Sequence, residues 1–100
     1  MILSIKPGVR VRGLSNEILL AVMIAQSIYS ETENAMVITS LTDGRHGIGS
    51  LHHAGDAVDL RLPMPVTRLQ IVSQLKTALG SDYDVVLESD HIHVEYDPKR

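Results

Sequence analysis

The stretch Tyr83-Asp-Val-Val-Leu-Glu-Ser-Asp-His-Ile-His-Val-Glu-Tyr96 reads as two strands, 83–88 and 91–96, around a tight turn at Ser89-Asp90. A two-residue turn sets Leu87 opposite Ile92 and Val85 opposite Val94, which makes one apolar face. His91, His93 and Glu95 then share the other face, because side chains alternate along a strand. The apolar face needs cover, and the rest of the chain supplies candidates for it.

Upstream, Val66, Leu69, Val72, Leu75 and Leu79 mark an amphipathic helix closed by Gly80. Pro63 and Pro65 end a preceding strand, 56–62. In that strand Ala57, Asp59 and Arg61 point one way, and Val58, Leu60 and Leu62 the other. Residues 41–51 carry Asp43-Gly44, Gly47 and Gly49 and read as an irregular loop, while Met36 to Ser40 reads as a short strand. Before it, Ser15 is an N-cap for a helix over 16–32, with Glu17 in its first turn and Ile18, Leu19, Val22, Met23, Gln26 and Ile28 as its apolar positions. Lys6-Pro7-Gly8 reads as a turn leading into an extended piece, 9–12. The expected architecture is α+β, a small, mainly antiparallel sheet with helices packed on it, in a single domain over 1–100.

Composition narrows the function. The hydrophobic fraction is 44% with no Phe or Trp, so the core is aliphatic. Net charge is −3 and no basic block is present, which argues against nucleic acid as the main partner. The apolar run 18–29 follows Lys6, Arg10 and Arg12, but it starts late for a signal peptide and abuts Glu17. It is also short of the roughly 20 residues that span a bilayer, so a core helix is expected and no membrane partner. Cysteine is absent, so any zinc must be held by His and carboxylate.

Such donors are present in two paired runs, Ser50-x-His52-x-x-Gly55-x-Ala57-x-Asp59 and His91-x-His93. A catalytic zinc takes three protein ligands and keeps one position for water. His52 lies in the loop entering the strand that carries Asp59, Gly55 permits the bend between them, and His93 comes from the hairpin. His53 adjoins His52, but the spacing favours His52, and neither His46 nor His53 is expected to be a ligand.

These paired runs resemble the zinc D-Ala-D-Ala carboxypeptidases and related peptidoglycan endopeptidases, of the superfamily that includes lysostaphin-type enzymes and the hedgehog signalling domain. The resemblance covers about 36–97. It implies that His52, Asp59 and His93 hold Zn2+. It implies Asp90, three positions before the last ligand, as general base, with Glu88 the fallback. Arg45 matches a family arginine that binds substrate and stabilises the oxyanion. Ser50 matches the serine that positions substrate, and His91 a histidine beside the metal.

The implied function is a zinc metallopeptidase cutting an amide bond in peptidoglycan stem peptides. The implied context is a small phage or prophage enzyme, without a clear signal peptide, cytoplasmic on synthesis and acting at the cell wall. The alternative is a zinc-stabilised binding or phage structural module of the same fold without peptidase activity.

Overall fold

The computed structural model describes residues 3–42 and 55–98. Among these residues five strands form one mixed sheet, and two α-helices pack on it, an α+β arrangement. The elements run β1 (Leu3–Ile5), α1 (Asn16–Ser30), β2 (Met36–Ser40), β3 (Ala57–Arg61), α2 (Arg68–Leu79), β4 (Tyr83–Leu87) and β5 (His91–Tyr96). Their order across the sheet is β1-β2-β3-β5-β4, with β1 parallel to β2 and the other pairs antiparallel. The expected loop 41–51 lies mostly outside the described residues.

The β4–β5 hairpin has the register its sequence dictates, with Leu87 opposite Ile92 and Val85 opposite Val94. The Glu88 N–H donates to the His91 carbonyl at 2.9 Å and closes the turn. Ile92 and Val94 are buried, together with Val58 and Leu60 of β3 and Ile38 of β2. These side chains form the floor of the core, and α1 and α2 cover it with Ile18, Tyr29, Ile71 and Leu75. The Ser15 side chain caps α1 by accepting from the Ile18 N–H at 3.1 Å. Gly80 ends α2 at φ +82°, a conformation open to glycine.

Three sequence expectations need correction. The first strand lies at Leu3–Ile5, ahead of the Pro7-Gly8 turn, and 9–12 joins no strand. β1 is short and wholly exposed, so no local alternation marks it; it is held by pairing with β2 and by the Lys6 N–H donating to the Ile38 carbonyl. In the second helix, Val66 and Leu69 are exposed, and the buried positions are Ile71, Val72, Leu75 and Leu79. A turn of 3-10 helix, Pro65–Thr67, precedes α2, so Val66 is not in phase with it. Leu69 sits about 100° around the helix from the middle of that stripe. In α1 the seam runs Ile18, Ala21, Ala25 and Tyr29, leaving Leu19 and Met23 in solvent.

Candidate metal centre

One face of the sheet carries the two helices, and the titratable residues lie on the other. In β3, Val58 and Leu60 point into the core, which turns Asp59 to the opposite face. Asp59 is directly opposite His93 on β5, and Arg61 opposite His91. On its other side β3 pairs with β2, where Ser40 faces Asp59 across an irregularity that spends two residues of β2 on one of β3. The carboxylate therefore stands on a strand paired on both sides, 9% exposed, with little freedom to move.

Both histidines converge on a single oxygen. His93 Nδ1 lies 2.8 Å from Asp59 Oδ1, and His91 Nε2 lies 3.5 Å from the same atom. The rings meet edge to face, 6.4 Å between centroids. Asp59, His91 and His93 each offer one ligand atom, all within 4.8 Å of one another. The outer nitrogens are also engaged: His93 Nε2 with Glu95 Oε1 at 2.8 Å, and His91 Nδ1 with Asp90 Oδ1 at 2.6 Å. The Asp59 carboxylate raises the His93 pKa above its usual value; burial opposes this and Glu95 reinforces it. The local field between Asp59 and His93 therefore favours positive charge, whether carried by a proton or by a cation. The donor set, two imidazoles and a carboxylate, fits a borderline metal such as zinc.

A cleft of about 430 Å³ opens beside Asp59 and His91. Thr39 and Ser40 line it from β2, Arg61 from β3, Asp90 from the hairpin turn and Lys6 from the end of β1. Among the described residues neither Lys6 nor Arg61 joins an ion pair. The Asp90 side chain is 83% exposed, so its carboxylate is open to solvent apart from the bond to His91.

Of the residues singled out from sequence, the structure brings together Asp59, His91, His93 and Asp90. His52, Ser50 and Arg45 lie outside the described residues. Glu88 is exposed and does not line the cleft. Sequence reasoning assigned no role to Glu95, Lys6 or Arg61. For Glu95 the signal was there, since residues two apart on a strand share a face. For Lys6 there was none, because a parallel pairing with β2 brings it in.

Among the described residues no helix is long and apolar enough to cross a membrane. No protein-family model matches the chain, and no curated protein matches it.

Proposed function

We propose that this protein is a zinc metallopeptidase that hydrolyses an amide bond in peptidoglycan stem peptides, of D-Ala-D-Ala carboxypeptidase or endopeptidase type, on a hedgehog-like peptidase fold. The observation that carries this reading is the convergence of His91 Nε2 and His93 Nδ1 on Asp59 Oδ1 at the edge of a cleft. Residues 34 apart in the chain meet there, on the face opposite the helices. Asp59 and His93 hold the ion, with His52 as the third ligand, as the resemblance to D-Ala-D-Ala peptidases implies. Zinc bound at such a site supplies a Lewis acid and a water acidified to a pKa of about 7.

The other residues have roles their positions support. Asp90, on the lip of the cleft, accepts a proton from the attacking water and returns it to the departing amine. His91, anchored through Nδ1 to Asp90, presents Nε2 toward Asp59 and lines the cleft, where it orients the attacked carbonyl beside the metal. Lys6 and Arg61 give the rim positive charge that suits a substrate carboxylate.

Incubating the zinc-loaded protein with defined muropeptides, followed by mass spectrometry, tests the reading. The expected result is loss of a terminal D-Ala or cleavage of an internal stem-peptide amide. In Asp90→Ala the rate falls by roughly 10²–10⁴-fold while zinc is retained. A zinc-loaded wild type that leaves every muropeptide intact would favour the non-catalytic module instead.

A further inference from the structure

Glu95 stands beside two other carboxylates on the face of the sheet that carries His93. One of its carboxylate oxygens lies within 4.8 Å of carboxylate oxygens of Asp84 and Asp97, and Asp84 is its direct cross-strand neighbour. Like charges opposite one another destabilise a sheet. Among the described residues its one side-chain partner is His93, at 2.8 Å from Nε2. The strand period explains the contact, since positions 93 and 95 emerge side by side on β5.

We propose that Glu95 is a positioning residue for the metal, holding the proton of His93 on Nε2 and so aiming the Nδ1 lone pair at the point shared with Asp59. An imidazole can bind an ion through either nitrogen, and the hydrogen bond made by the other decides which. Here Nε2 faces Glu95 and Nδ1 faces Asp59, so only Nδ1 is available to a cation held by Asp59. The carboxylate also makes the ring a stronger donor.

The inference rests on the metal reading above, and one titration separates the two. Zinc affinity is measured by competition with a chromophoric chelator for the wild type, Glu95→Ala and Glu95→Gln. Glu95→Ala binds roughly 10–100-fold more weakly. Glu95→Gln, isosteric and still able to accept the hydrogen bond through its amide oxygen, recovers most of that loss. In the zinc-loaded wild type the Nε2 proton of His93 gives a slowly exchanging, downfield NMR signal, which Glu95→Ala loses. A wild type that takes up no zinc overturns the metal reading and this inference with it. A wild type that binds zinc while Glu95→Ala binds equally well overturns the positioning role alone, as does a Gln variant as weak as the Ala variant. Should Glu95→Ala fail to fold, Glu95→Gln decides by itself: near-native affinity with the NMR signal kept supports the role, and Ala-like weakness on the scale above overturns it.

Discussion

At Gly55 the backbone has φ +79°, and a Cβ built there falls 2.0 Å from the Gly13 carbonyl oxygen. The same residue accepts the Ser15 N–H at 2.9 Å, so the glycine of the Gly55-x-Ala57-x-Asp59 run pins the segment before α1 to the start of β3. Gly55→Ala therefore has both a conformational and a steric penalty. It is expected to lower stability by about 2–4 kcal/mol in urea unfolding. An unchanged midpoint would mean that the two segments do not meet. Tyr29 is a second residue with a measurable signature. Burial in the core on the inner face of α1 raises its pKa well above the usual 10.0, since the phenolate would be desolvated. A raised folded-state pKa gives stability that is complete below pH 10 and lost as pH climbs through the folded value. Tyr29→Phe should flatten that alkaline loss at a cost near neutral pH of about 1 kcal/mol. A denaturation series from pH 8 to 11 on both proteins reads the difference. Equal slopes would show that Tyr29 is not buried in this way.

Among the elements, α1 tests how far periodicity can be trusted. Leu19, Met23 and Ile18 are all strong apolar signals in the sequence, yet only Ile18 is buried, and the seam is completed by Ala21 and Ala25. Small residues let the helix approach the sheet and α2 closely, a fact about what lies opposite rather than about the helix itself. The same reason hid β1, whose pairing partners lie 33 residues on (Leu3 opposite Met36), and misplaced the start of the α2 stripe, where a 3-10 turn breaks the phase. By contrast the hairpin was legible to the residue, because its register depends only on its own turn and alternation. On the candidate site, Asp59 and His93 were named from sequence as metal ligands together with His52, and His91 as a residue beside the metal; the structure brings Asp59, His91 and His93 together, and His52 lies outside the described residues. The shared face of Glu95 and His93 was legible too, but not that Glu95 meets Nε2 rather than Nδ1, which depends on the orientation of the ring. The α1 seam predicts opposite outcomes for two substitutions. Leu19→Glu should change stability by no more than about 0.5 kcal/mol, whereas Ala25→Leu should cost about 1–3 kcal/mol by overpacking. Thermal unfolding of the two variants checks this, and a destabilised Leu19→Glu would place the buried face elsewhere.

For the molecule as a whole, the sheet puts the core on one face and the Asp59, His91 and His93 cluster on the other, so apolar packing and the candidate metal site draw on different side chains of the same strands. β3 and β5 contribute Val58, Leu60, Ile92 and Val94 inward and Asp59, His91 and His93 outward. In the outward set the Asp59 carboxylate lies 2.8 Å from His93 Nδ1 and 3.5 Å from His91 Nε2, and it raises the His93 pKa. An ion bound only by the folded arrangement stabilises it by RT ln(1 + [L]/Kd), about 2.7 kcal/mol at a hundredfold excess over Kd. In a chain of 100 residues that corresponds to a rise in Tm of roughly 10–20 °C. The metal-stripped protein is therefore expected to melt well below the zinc-loaded form, with a chelator reversing the gain. Asp59→Asn should lose most of the gain, since the neutral amide is a poor ligand and removes the charge shared by both histidines. Leu19→Glu, on the far side of the sheet and exposed, should keep it in full. Calorimetry of the three proteins with and without zinc distinguishes a specific centre from surface binding: a rise in Tm as large in Asp59→Asn as in the wild type would place the ion somewhere other than between β3 and β5.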